Sequence, residues 1–221
     1  MTNTQIKEML ELLNTNKLEE LKNELTHELL AGTDKTKANL FMAVKNYLKQ
    51  MDNSRPVLKT VNHKNGKQFI CNGTTAFIFD EYKTELDELP NTTNEDDCLN
   101  IFIIIATNLT YETLSDDDKL ILKNIKKYTS YYKTKNGTDD NMISIYWNNH
   151  YFDVKVLTSV ANIIGNKIDE LQVAEFENKL QVKTSDITGV VMPLNQRVMG
   201  DDETIKIYNT TTSFVAELKG H

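Results

Sequence analysis

A chain of 221 residues with 39% hydrophobic and 26% charged residues holds enough apolar material for a sizeable core, which fits a globular rather than a disordered protein, either one sizeable domain or a domain with a small appendage. Its formal net charge of -7 excludes global attraction to nucleic acid, so any contact with DNA has to come from a local basic surface. No apolar run approaches the roughly 18–20 residues of a bilayer span, no basic leader with an apolar core opens the sequence, and Cys71 and Cys98 are too few for a disulfide framework or a zinc site, so a reducing, cytoplasmic setting without a membrane partner is expected.

Residues 4–51 read as three amphipathic helices. Thr2 and Gln5 have capping-box spacing, and Ile6, Met9, Leu10 and Leu13 form the first stripe, which Asn14-Thr15-Asn16 breaks. Leu18, Leu21, Leu25 and Leu29 recur at helical spacing up to a stop at Gly32. Thr33 or Asp34 caps a third helix with Phe41, Val44, Leu48 and Met51 on one side. The first two helices suggest a helical hairpin, and no strict heptad persists long enough for a coiled coil.

After Pro56 the apolar period changes to two. Residues 57–61 and 67–71 read as strands around an Asn65-Gly66 hairpin turn, and residues 76–79 follow as a strand beyond Asn72-Gly73. Residues 81–97 are acidic and loop-like. The most hydrophobic run, 99–106, predicts a central strand buried on both faces. Ser115 or Asp116 caps a helix running to about Tyr132, and residues 142–147 and 150–154 are strands around Asn148-Asn149. A helix over 155–164 stops at Gly165 and precedes strands at 170–174, 180–184 and 189–192. Past Arg197, residues 204–208 and 214–218 read as two strands, a terminal hairpin or an oligomer contact. The pattern predicts an α+β fold, helices backed by antiparallel sheet, divided into a helical appendage (1–33), an α+β domain (34–197) and a C-terminal extension (198–221).

The segment 115–135 is the candidate site. Asp116, Asp117 and Asp118 suit the positive start of a helix, and six lysines follow with no intervening acid. At about 100° per residue, Lys119, Lys123, Lys126 and Lys127 share one face, while Ile121, Ile125, Tyr128 and Tyr132 lie opposite. A basic stripe on an apolar back is how a helix meets a phosphate backbone; the commoner occurrence of the same pattern is an ordinary solvated face. Tyr131, off the packed stripe, is placed to stack a base. With only Arg55 and Arg197 as arginines, sequence-specific readout is disfavoured.

Catalytic patterns are missing from the sequence. The four histidines do not pair at metal-helix spacing, and neither a nucleophile elbow nor a phosphate-binding glycine loop occurs. No catalytic residue, metal or cofactor is expected, and a small hydrolase ranks last among the readings.

Two stretches repeat one order of elements. A helix at 37–50 leads into Arg55-Pro56-Val57-Leu58 and strands at 67–71 and 76–79; a helix at 155–164 leads into three strands that close on Val190-Val191-Met192-Pro193-Leu194. This order resembles the half-domain of DNA polymerase sliding clamps, phage-encoded clamp-like proteins of this size included, over residues 37–195. The resemblance implies a clamp-like domain at 34–197, one where a bacterial clamp subunit has three. It also implies a non-enzymatic role in DNA replication, through homo-oligomeric assembly or binding of replication proteins, with sequence-independent contact to the DNA backbone. The alternative is an interaction or inhibitor protein that keeps the fold without binding DNA. No partner-peptide pocket residues carry over.

Overall fold

The computed structural model describes residues 15–49, 55–94, 97–98, 104–137, 142–195 and 199–220. An eight-stranded sheet, antiparallel except at one edge, carries helices along one face. In chain order come α1 (Thr15–Thr33), α2 (Lys35–Lys49), a 3-10 turn (Pro56–Lys59), β1 (Val61–Lys64), β2 (Lys67–Cys71), β3 (Thr75–Phe79), a 3-10 turn (Thr84–Glu88), β4 (Asn91–Thr92) and β5 (Glu112–Thr113). Then follow α3 (Asp116–Asn136), the hairpin β6 (Ser144–Trp147) and β7 (His150–Asp153), α4 (Val154–Ile164), a 3-10 turn (Gly165–Glu170), β8 (Gln172–Phe176), β9 (Lys179–Lys183), β10 (Ile187–Val191) and α5 (Asp201–Lys219). The protein is an α+β protein.

The sheet order, β4-β1-β2-β3-β10-β9-β8-β5, shows that two meanders meet edge to edge. Each is preceded by a helix and a 3-10 turn: α2 with β1-β2-β3, and α4 with β8-β9-β10. The meanders join through antiparallel β3 and β10, with Gly189 opposite Phe77 at the centre of five partnered positions. A Cβ at Gly189 would lie 2.8 Å from Phe77 Cδ1 and 2.9 Å from Val182 Cγ2, so the close packing of the seam demands glycine there. The hairpin turn between β1 and β2 is Asn65-Gly66, both at positive φ (54° and 72°), as a primed two-residue turn requires.

Alternation decides which side chains face the helices. Ile70, Phe77, Phe79, Leu180, Val182 and Val191 join Phe41, Val44, Tyr47, Leu157 and Val160 in the main core. Phe69, Cys71, Ala76 and Ile78 point to the other face, where Cys98 packs among them and Leu58, Ile104 and Ile105 pack against the cluster. All of β3 is therefore buried, on both faces. Helix packing runs α1 on α2, α2 on α4, α4 on α3 and α3 on α5. Both sheet edges, β4 and β5, are two residues long, which leaves little unpaired backbone to template aggregation.

Several sequence expectations are corrected. The C-terminal hairpin over 204–208 and 214–218 is one helix, α5, because Ile207, Thr210, Thr211, Phe214 and Val215 recur at helical spacing and bury one side. The strand expected at 57–61 is a 3-10 turn with Pro56 in its first position, and the strand starts at Val61. Gly32 lies inside α1, and Asp34 starts the next helix by accepting the backbone N–H groups of Thr36 (2.9 Å) and Lys37 (3.2 Å). The central strand expected at 99–106 lies partly outside the described residues; its described part, 104–106, is not in the sheet. Ala106 is instead held by the buried Gln181, whose side chain accepts its N–H at 3.0 Å and donates to its carbonyl at 3.1 Å. The first of the three expected helices falls outside the described residues.

Candidate nucleic-acid interface

The helix α3 owes its start to a reciprocal cap. Ser115 Oγ accepts the Asp118 N–H at 3.1 Å and donates to Asp118 Oδ2 at 2.5 Å. Asp118 also fastens the helix to the β6–β7 turn: its Oδ1 accepts the Asn148 N–H at 2.9 Å, and its carbonyl accepts Trp147 Nε1–H at 3.1 Å. Ile121, Leu122, Ile125, Tyr128 and Tyr132 are buried, and Tyr128 bonds the Ser144 carbonyl and shares a hydrogen bond with Thr211 of α5. The helix ends at Gly137, whose N–H bonds the Lys133 carbonyl.

This packing leaves the basic face outward. Lys123, Lys126 and Lys127 are exposed and Lys119 is half-buried. Lys123 Nζ bonds Asp169 Oδ1 at 2.6 Å, on the 3-10 turn after α4. That bond, with Lys119 nearby, holds the Asp169 carboxyl below its ordinary value. Lys126 and Lys127 carry no ion pair among the described residues.

Lys123 and Lys126 edge a cleft of about 580 Å³ between α2, α4 and α3, lined also by Asn39, Asn46, Asn162 and Asn166. A second cleft of about 260 Å³ shares Asn39, Asn162 and Asn166 with the first and adds Lys35 and Lys167. The sequence reading missed these amides because it followed charge alone. The available signal was spacing: Asn39 and Asn46 stand seven residues apart on one helix face. Amide and ammonium groups together suit oxygen acceptors such as phosphate. Lys123 and Lys167 are already engaged by carboxylates, Asp169 and Asp186, each at 2.6 Å, which leaves Lys35 and Lys126 as the cleft lysines without an ion pair among the described residues. Lys119 and Lys127 do not line either cleft.

Tyr131 is not displayed for stacking. It packs on Phe214 of α5 at 5.1 Å between ring centroids, and Lys135 Nζ stands 5.6 Å from its ring. The Tyr131 ring is a packing element between α3 and α5 rather than a stacking platform. Among the described residues no cluster of three or more His, Cys, Asp or Glu side chains is arranged to hold a metal, and no helix is long and apolar enough to cross a membrane. No family model, no curated protein and no solved structure matches this chain.

Proposed function

We propose that the chain is a non-enzymatic DNA-replication accessory built on a sliding-clamp-like domain, which works by assembly or by binding replication proteins. One observation carries the reading: two successive units of helix, 3-10 turn and three-stranded meander meet through antiparallel β3 and β10, with α2 and α4 packed together on one face. Sliding clamps are built from such units, with helices lining an inner face and sheet forming the outer rim. Lys123 and Lys126 of α3 and the amides of α2 and α4 border the cleft on the helix face, the side such a reading assigns to DNA.

A second reading, an interaction protein of the same fold that binds no DNA, draws support from two observations. Asp169 already neutralises Lys123, and the whole chain carries a charge of -7. One experiment separates the two: duplex-DNA binding titrated against salt, alongside mass in solution. Each lysine that neutralises a phosphate contributes about 0.9 to the log–log salt slope. Replacing Lys119, Lys123, Lys126 and Lys127 with glutamine is expected to flatten the slope without unfolding the chain, because the Ile121–Ile125–Tyr128 face is untouched. A wild-type slope in that variant removes α3 from the interface, and absence of binding even at low salt selects the second reading.

A further inference from the structure

The helix α1 turns most of its leucines outward. Its inward side presents the buried Asn23, with Leu30 packed against the main core, and Glu20 on the same helix meets Lys49 of α2 at 3.4 Å. Leu18, Leu21, Leu25 and Leu29, by contrast, keep 49%, 52%, 57% and 72% of their surface exposed. Single exposed leucines are ordinary, but four on one face of one helix form a contiguous apolar patch, the mark of an interaction surface. We propose that this stripe is the docking face for α1 of a second copy of the chain, packed antiparallel.

Spacing, symmetry and charge select that occupant. Leu18 and Leu29 are eleven residues apart with Leu21 and Leu25 between, a repeat of about 3.67 residues per turn that keeps the stripe aligned along a nearly straight helix. The stripe is also close to symmetric about positions 23–24. Turned end over end, it sets Leu18 against the partner's Leu29 and Leu21 against the partner's Leu25, as the self-complementary patch of a two-fold contact must. Lys17 and Glu28 flank the same side of the stripe near its opposite ends, so antiparallel packing puts each Lys17 beside the partner's Glu28. Lys22, on the other flank, is already engaged by Glu88 at 2.8 Å. Parallel packing would instead hold each Lys17 and the partner's Glu28 at opposite ends of the contact, so that pair could not form.

Four leucines a side make a contact at or below the roughly 1,200 Å² of a standard stable interface, so the dimer is weak, with a dissociation constant in about the micromolar range. The contact uses no strand edge and is independent of any ring assembly through the sheet. Sedimentation equilibrium of the full chain tests it. The mass is expected to rise from 25.4 kDa toward twice that value with concentration. The double variant Leu21→Gln/Leu25→Gln is expected to weaken association about tenfold or more with an unchanged circular dichroism spectrum. Lys17→Glu and Glu28→Lys each weaken the dimer, and combining them restores it. A chain that stays monomeric up to about 100 μM overturns the proposal, as does a dimer indifferent to the leucine pair. Strengthening by Lys17→Glu alone overturns the antiparallel arrangement. A dimer that forms only after residues 1–14 are deleted shows that the chain's own N-terminal segment occupies the stripe, and overturns the proposal equally.

Discussion

Replacing Asp118 with alanine removes two hydrogen bonds made by one carboxylate, from the Ser115 hydroxyl at 2.5 Å and from the Asn148 backbone N–H at 2.9 Å. Bonds to a charged acceptor contribute about 1.5–3 kcal/mol each when buried, but Asp118 is only half-buried, so about 1 kcal/mol apiece is the appropriate scale. Loss of a negative charge from the first turn of α3 adds about 0.5 kcal/mol through the helix dipole. The expected total is about 2–2.5 kcal/mol, or a fall of roughly 4–10 °C in melting temperature for a chain of this size. Trp147 supplies the assay: it is the single tryptophan, fully buried, so its emission shifts red on urea unfolding. Asp116→Ala is the control, because it removes a charge from the same turn at an exposed position and should cost only a few tenths of a kcal/mol. If the two variants lose equal stability, or Asp118→Ala loses less than about 0.5 kcal/mol, the carboxylate is not what fastens α3 to the β6–β7 turn.

Gly189→Ala should destabilise by about 2–3 kcal/mol, since its methyl group has to displace the buried Phe77 ring at the centre of the seam; a lowered urea midpoint at unchanged m-value is the expected signature, and a neutral effect would mean the seam is looser than described. Asp186 gives a pH-dependent outcome. Burial pushes its carboxyl up, but hydrogen bonds from Lys167 (2.6 Å) and Lys83 (2.8 Å) outweigh that and hold it below its ordinary value. Its contribution is therefore present above the unfolded carboxylate value of about 4 and is lost as pH falls through the folded value. Asp186→Asn should cost on the order of 1–2 kcal/mol at pH 7 and progressively less toward pH 3, and an equal loss at both, by urea titration, refutes the charge argument.

Local signals made much of this fold legible. The Asn65-Gly66 turn, the apolar stripe of α3 and the strand–helix–meander order after residue 150 all follow from spacing and turn chemistry within a dozen residues. The elements whose sequence pattern misleads depend on partners far away in sequence. Thr204 to Leu218 is rich in β-branched residues and scans as strand, yet Phe214 and Thr211 are drawn into a helical stripe by contacts with Tyr128 and Tyr131 some 80 residues earlier. Tyr131 lies off the main apolar face of α3 by periodicity, and only the position of α5 shows that it has a packing partner. Periodicity located the leucine face of α1 but not its surroundings, because a stripe facing solvent and a stripe facing a core have the same spacing. At the candidate interface the lysine face of α3 was readable from helix angles, whereas the asparagines of α2 and α4 gather only when two helices 120 residues apart pack together.

The seam between β3 and β10 has a consequence for how the chain reaches its native state. Within each meander the strands close over short turns, so their pairing needs little loop-closure entropy. The seam pairs Phe79 with Ile187, residues separated by more than a hundred positions, so closing it makes one long loop that contains α3, the β6–β7 hairpin and α4. High contact order of this kind slows folding, so docking of the two halves is the step expected to set the rate. A substitution at Gly189 should therefore slow refolding and not merely speed unfolding, while the exposed leucines of α1 should leave the refolding rate of the isolated chain unchanged.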